Sequence, residues 1–230
     1  LPWGLRSALA ATAPIVLLYG SVYLKADPSG RFSWQTGTLI GLAVIVLTTT
    51  WSLLNWLHQR PAGMSTTVAV SLASAIAGLC IMMAGYIKGG AAAFPLAATL
   101  LVTAAGLVCI TLRVKLTTEF DATALSAVGV VGLFGLLFIG RFFGGLSTAQ
   151  ALTLLLAPLL CGVTELPWLR ERPKWQLVTV RLTLVTTLLA IVLFLAKRTF
   201  DRDMGPLLRR KPDVRHVVAS QTAEPASLWR

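Results

Sequence analysis

The chain has 230 residues, of which 56% are hydrophobic and only 13% are charged, and its mean hydropathy is +0.76. These values exclude an ordinary soluble domain and predict an integral membrane protein with one membrane domain. The formal net charge of +11 does not indicate nucleic-acid binding. Its basic residues lie mainly at the ends of apolar segments and in the C-terminal tail, where lipid headgroups are the expected partners.

Seven apolar stretches follow one another along the chain. Each is close to the ~20 residues that a helix needs to cross the hydrocarbon core, where every peptide group must be hydrogen-bonded inside the protein. We therefore expect an all-α, polytopic transmembrane bundle of about seven spans. The stretches are Ala8–Leu24, Gly37–Leu57, Thr66–Ile87, Pro95–Leu112, Ala122–Phe143, Thr148–Leu166 and Leu177–Ala196.

Within the second stretch, Trp51, Asn55 and His58 are spaced i, i+4 and i+7, so a helix places them on one face. This face is a candidate polar pocket for a small ligand or a quinone-like ring. We favour an interfacial Trp/His cluster instead, because His58 lies just beyond the apolar run, where water is available.

Small residues spaced four apart indicate close helix packing. Glycine, alanine and serine let two backbones approach in lipid, where packing rather than burial drives association. We expect such contacts at three pairs, Gly37 with Gly41, Ser74 with Gly78, and Gly140 with Gly144.

The fourth and sixth stretches carry clear boundary signals. Pro95 suits the first turn of a helix, where its missing N–H is not needed. Ser147 and Gln150 match a capping box at the start of the sixth stretch. Pro158 lies inside that stretch and predicts a kink, so the alternative to seven spans is six spans plus a re-entrant segment.

The segment between the sixth and seventh stretches, Thr164 to Trp175, combines a glutamate with basic residues, prolines and tryptophans. We interpret it as a strap at headgroup depth rather than an active-site loop, because aromatic and basic residues are expected at any short membrane turn. Its predicted headgroup or partner contacts are Trp168, Arg170, Arg172, Lys174 and Trp175.

Arg181 lies about one turn inside the seventh stretch. A charge at the centre of a span costs about 2.5–3.5 kcal/mol on insertion scales, unless the side chain reaches the headgroups or finds a partner. Glu165, at the end of the sixth stretch, is the candidate ion-pair partner. We favour snorkelling of Arg181 toward the headgroups over a functional ion pair.

The composition divides the chain into a transmembrane domain, 1–196, and a basic polar tail, 197–230. A tail of this composition is expected to be disordered when it is alone. With the C-terminus on the cytoplasmic side, the basic residues of the tail give that side the excess of positive charge that membrane proteins usually show, so we expect this orientation. The tail residues expected to contact lipid or partners are Lys197, Arg198, Arg209, Arg210 and Lys211.

No complete catalytic, metal or nucleotide motif is recognisable, and the sequence identifies no cofactor. Our principal hypothesis is a structural, accessory or assembly subunit of a larger membrane complex, with membrane lipids and other membrane subunits as partners. The first alternative is a small uncoupled transporter or channel for a neutral or lipid-like solute. The second is a lipid-modifying enzyme that uses Glu165 with Arg170, Arg172 and Arg181.

Overall fold

A computed structural model describes residues 12–13, 16, 34–59, 64–114, 123–165 and 173–209. Within these ranges every regular element is helical, and six segments are long and apolar enough to cross a membrane. This confirms the all-α transmembrane bundle; most of the stretch Ala8–Leu24 lies outside the described residues. The elements are α1 (Trp34–His58), α2 (Met64–Met83), α3 (Ile87–Ala91), α4 (Ala93–Val114), α5 (Thr123–Phe143), α6 (Thr148–Leu156), the 3-10 helix η1 (Ala157–Glu165) and α7 (Lys174–Arg209).

Helix α2 is the centre of the bundle and packs against α4, α5 and α7. In the apolar part of α2, 61% of the residues are buried, whereas in the apolar part of α1 the share is 22%. Small side chains make this position possible, since Ala69, Ala73 and Ala77 are fully buried on α2 and leave room for neighbouring backbones. The remaining helices surround α2 and turn much of their apolar surface outward.

The closest backbone approach involves Gly78 on α2. A Cβ atom placed there would lie 2.7 Å from the Ala93 Cβ and 2.8 Å from the Gly90 carbonyl oxygen. Because real Cβ contacts are longer, only glycine permits this separation between α2 and the α3–α4 junction. Gly78 therefore has the close helix contact predicted for it, between α2 and the α3–α4 junction.

The other two small-residue pairs have different environments. A Cβ on Gly140 would lie 2.6 Å from an Ile81 side-chain atom, so α5 and α2 are in close contact there. At Gly37 and Gly41, nothing described lies within 4 Å of an added Cβ. No described neighbour provides the close packing expected at this pair, so that expectation stays a prediction.

The sixth stretch changes helix type at its midpoint. Its start is as predicted, since Ser147 Oγ accepts from the Gln150 backbone N–H and Gln150 Oε1 accepts from the Ser147 N–H. The α-helix gives way to η1 immediately before Pro158, which cannot donate a backbone hydrogen bond. Nine residues rise about 18 Å as a 3-10 helix but about 14 Å as an α-helix. This gain lets the 18 residues of Thr148–Glu165 match a hydrocarbon core of about 30 Å.

Helix α7 continues beyond the predicted domain boundary at residue 197. Its 36 residues measure about 54 Å, which exceeds the ~30 Å hydrocarbon core. We call the part that follows Ala196, residues 197–209, the helical extension. Its exposed charged side chains are Lys197, Arg198, Asp201, Arg202 and Asp203.

Candidate polar site around Arg181

Arg181 is the largest fully buried side chain among the described residues, with 1% of its surface exposed. Because α7 begins at Lys174, Arg181 lies about two turns inside the helix rather than one. The preference for snorkelling is therefore wrong, since a side chain that reached the headgroups would be exposed. Its charge is compensated inside the bundle instead.

Each of the three guanidinium nitrogens of Arg181 donates to a protein oxygen. Nε donates to Thr164 Oγ1 at 2.5 Å, Nη1 to Ser65 Oγ at 3.3 Å, and Nη2 to Glu165 Oε1 at 3.0 Å. The last contact is also a salt bridge. A planar guanidinium with several fixed N–H directions suits three acceptors on different elements better than an ammonium would. We call these four residues the Arg181 cluster.

The Arg181 cluster joins three elements at one end of the bundle. Ser65 lies in the first turn of α2, and Thr164 and Glu165 are the last residues of η1. Thr164 also donates its own hydroxyl hydrogen to the Cys161 carbonyl at 3.0 Å, so the hydroxyl that Arg181 needs is already oriented. We call this end of the bundle the Arg181 end, and the opposite end, where α6 begins, the Ser147 end.

Glu165 differs from Arg181 in its access to the surroundings, because 19% of its side chain is exposed. The enzyme hypothesis requires Glu165, Arg170, Arg172 and Arg181 to converge on one pocket. The structure brings Glu165 and Arg181 together, whereas Arg170 and Arg172 lie outside the described residues. Because each of its nitrogens donates to a protein oxygen, the Arg181 guanidinium holds α2, η1 and α7 together as a charged hydrogen-bond donor.

The predicted polar face of α1 points into the protein. Trp51 is 3% exposed and Asn55 is 6% exposed, so the interpretation of this face as an interfacial cluster is wrong for these two residues. His58 is half-buried, and its Nδ1 lies 3.3 Å from Thr66 Oγ1 on α2. The tautomer decides which of these two atoms donates. This contact places the end of α1 beside the start of α2, at the Arg181 end.

Three buried polar atoms near this end have no hydrogen-bond partner within the described part of the chain. They are Trp51 Nε1, Asn55 Oδ1 and Thr67 Oγ1. An unsatisfied buried polar group costs about 1–3 kcal/mol, so these atoms are unfavourable as they stand. Together they offer one N–H donor, one carbonyl acceptor and one hydroxyl.

The predicted headgroup contacts are only partly described. Trp175 is 67% exposed, and Lys197 and Arg198 are exposed at the start of the helical extension. For Lys174 and Arg209 the structure describes the backbone, which is helical, but not the side chain. The remaining predicted contacts, Trp168, Arg170, Arg172, Arg210 and Lys211, lie outside the described residues.

Sequence reasoning missed Ser65 and Thr164 as partners of Arg181. Thr164 precedes the predicted partner Glu165, so its proximity was accessible from the sequence. Ser65 lies 116 residues before Arg181, and nothing in its local sequence distinguishes it from other serines in the bundle. In the described part of the chain, no group of three or more histidine, cysteine, aspartate or glutamate side chains is arranged to hold a metal ion.

Comparisons with protein-family models, with curated proteins and with solved structures find no match to this chain.

Proposed function

We propose that the protein is an accessory or assembly subunit of a larger membrane complex. In this role the bundle anchors the protein in the membrane, and the helical extension, residues 197–209, binds a partner subunit. The observation that carries the proposal is the continuation of α7 as a charged helix beyond its apolar span.

The charge pattern of the helical extension supports a protein partner. Lys197, Arg198 and Arg202 are interspersed with Asp201 and Asp203, and all five side chains are exposed. Mixed charges of both signs define partner choice through complementary potentials, whereas a surface for anionic lipid would be uniformly basic. The helix is also continuous with the membrane anchor, so little ordering is required when a partner binds.

Lateral contacts within the membrane are the second part of the proposal. Helices α1, α4 and α7 turn large apolar side chains outward, among them Leu42, Val102 and Phe194, which are 63–70% exposed. Lipid covers such surfaces in an isolated bundle. In a complex, the same surfaces pack against the helices of other subunits.

The test is co-purification from native membranes in a mild detergent, followed by native mass spectrometry. We expect a complex of defined stoichiometry with at least one other polypeptide. Charge reversal of Lys197, Arg198 and Arg202 to glutamate should remove that polypeptide while the bundle remains folded. Arg113→Glu is the matched control, because Arg113 is an exposed arginine in the last turn of α4, away from the extension.

A wild-type protein that runs alone, with no second polypeptide at any detergent concentration, would contradict the proposal. Loss of the partner in Arg113→Glu to the same degree would show that the extension is not its binding site.

We also propose that the helical extension lies in the cytoplasm. The support is the positive-inside rule applied to the basic residues that follow Ala196. A cysteine introduced at Thr199, which is exposed, should react with a membrane-impermeant maleimide only after the cells are opened. Reaction in intact cells would place the extension outside.

A second candidate function is binding or passage of a small neutral solute between α1 and α2. It is favoured by the buried polar atoms of Trp51, Asn55 and Thr67 that have no partner in the described ranges, which a hydrogen-bonding solute would satisfy. Flux or binding in liposomes should fall when Trp51→Phe and Asn55→Leu are combined. Flux that is unchanged in this double variant would exclude the route.

A further inference from the structure

A groove runs along the surface between α1, α5 and α6, with a volume of about 280 Å³. Its walls are leucine, valine and alanine from α1 and α6, together with phenylalanines from α5. We call it the α1–α5–α6 groove. All three of its helices belong to segments apolar enough to span the membrane, so the groove opens toward lipid rather than toward water.

The α5 side of the groove is a ladder of aromatic rings. The Phe134 and Phe138 ring centroids are 5.7 Å apart, and those of Phe138 and Phe142 are 4.5 Å apart. Over the eight residue steps from Phe134 to Phe142 the helix rises about 12 Å. This depth fits the upper part of a hydrocarbon chain that lies parallel to the helices.

One end of the groove is polar. Among the described residues that line it, Arg141 is the only one with a charged side chain, and Thr148 lies beside it. Because Arg141 is in the last turn of α5 and Thr148 begins α6, both are at the Ser147 end, where the spans leave the hydrocarbon core. The groove is therefore apolar inside the membrane and cationic at headgroup depth.

The geometry of Arg141 leaves its terminal nitrogens available. Its Nε donates to Thr148 Oγ1 at 2.8 Å, which fixes the plane of the guanidinium. Its Nη1 and Nη2 make no hydrogen bond to the described residues, and the side chain is exposed. Two parallel N–H groups of an arginine match the oxygens of a phosphate.

From these observations we propose that the α1–α5–α6 groove binds one phospholipid, with an acyl chain against the phenylalanine ladder and its phosphate on Arg141. A net-negative headgroup is preferred, because the described residues that line the groove include no acidic side chain to attract a cationic headgroup. A free phosphate would not use the apolar walls. A second copy of the chain would have to present both an apolar ridge and an anionic group at one end of it.

The test is native mass spectrometry of the full chain released from nanodiscs that contain equal amounts of phosphatidylglycerol and phosphatidylcholine. We expect one retained phosphatidylglycerol per protein. Arg141→Gln should lower its retention about fivefold relative to phosphatidylcholine, since one arginine near an anionic headgroup contributes about 1 kcal/mol. Arg113→Gln, at an exposed arginine in the last turn of α4, is the charge control and should leave retention unchanged.

A second variant tests the apolar part of the site without disturbing the core. Leu152 is 41% exposed and lines the groove, so Leu152→Trp should fill it and reduce retention of both lipids. Leu101→Trp, at an exposed leucine of α4 (46%), is the matched control. Circular dichroism confirms that each variant remains helical.

Three results would overturn the proposal. The first is retention of both lipids at equal levels that Arg141→Gln does not change, which indicates a non-selective lipid shell. The second is equal loss in Leu152→Trp and Leu101→Trp. The third is a homodimer that Leu152→Trp dissociates, since the occupant would then be a second copy. None of these outcomes depends on whether the helical extension binds a partner subunit.

Discussion

Arg181 is buried because its hydrogen-bonding needs are met by the protein. An unpaired cation inside the bundle would be strongly unfavourable, but three oxygens from α2 and η1 surround this guanidinium. A buried pair is weak evidence for net stability, since both charges are desolvated. Removal of one partner is strongly destabilising, because it leaves the other charge buried and uncompensated.

We therefore predict that Glu165→Leu lowers the free energy of unfolding by about 3 kcal/mol, the lower end of the range for a broken buried pair. The lower end applies because 19% of the Glu165 side chain is exposed and is partly screened. The double variant Glu165→Leu with Arg181→Met should recover most of this loss. Denaturant titration in detergent micelles measures each value.

Arg198→Met is the matched control for this cycle, because Arg198 is an exposed arginine on the same helix. Its effect should stay within about 0.5 kcal/mol. Additive losses in the double variant would show that Glu165 and Arg181 do not stabilise each other.

Two hydroxyl groups on α2 provide a second test at the same scale. Thr67 Oγ1 is buried and has no hydrogen-bond partner among the described residues, whereas Ser71 Oγ donates to the Ala97 carbonyl at 2.7 Å. We predict that Thr67→Val raises the free energy of unfolding by about 1 kcal/mol and that Ser71→Ala lowers it by a similar amount. Thermal unfolding of the purified protein measures both. A loss of stability in Thr67→Val would mean that its hydroxyl is satisfied in the folded protein.

At the scale of elements, helix packing depends on where small residues lie relative to neighbouring backbones. Gly78 and Gly106 are both helical glycines, but a Cβ at Gly78 would overlap Ala93 and the Gly90 carbonyl, whereas nothing described lies within 4 Å of one at Gly106. The same substitution should therefore have opposite effects at the two positions.

We predict that Gly78→Ala lowers the free energy of unfolding by about 1–3 kcal/mol, the usual cost of overpacking. Gly106→Ala should be neutral or should stabilise α4 by up to about 1 kcal/mol, from helix propensity alone. Denaturant titration of both variants in the same detergent makes the comparison. Equal effects at the two sites would contradict the close approach of α2 to the α3–α4 junction.

The sequence predicted helices better than it predicted their environment. Length and hydropathy were sufficient for six of the seven predicted spans, and most of the remaining one, Ala8–Leu24, lies outside the described residues. The capping box at Ser147 was readable because it is local. The 3-10 helix η1 could not be predicted, since Pro158 marks an interruption of the helix without specifying which helix type follows it. The burial of Arg181 and of Trp51 depends on which neighbour each face meets, and that is decided by contacts far apart in sequence.

For the whole molecule, the path of the sixth stretch determines the side on which each later segment lies. Helix α6 and η1 together rise about 32 Å, compared with about 27 Å for the same residues as an α-helix. A segment of this length is sufficient to cross the hydrocarbon core of about 30 Å. It therefore favours a full crossing over a re-entrant path.

We predict that Ser147 and Trp175 face opposite sides of the membrane. In a background with Cys109→Ala, which removes the exposed native thiol, Ser147→Cys and Trp175→Cys should react with an impermeant maleimide from different sides. Ile87→Cys is the control, since Ile87 is 66% exposed near the Ser147 end and should match Ser147. Labelling of Ser147 and Trp175 from the same side would support the re-entrant alternative.

The short separation between Glu165 and Arg181 bears on how the chain enters the bilayer during synthesis. The two residues are 16 positions apart, at the end of one span and near the start of the next. We expect the two residues to enter the bilayer as a hairpin in which their opposite charges neutralise each other, because an unpaired arginine is costly to insert. Ser65 is inserted much earlier, so its hydrogen bond with Arg181 forms only after α7 has been synthesised.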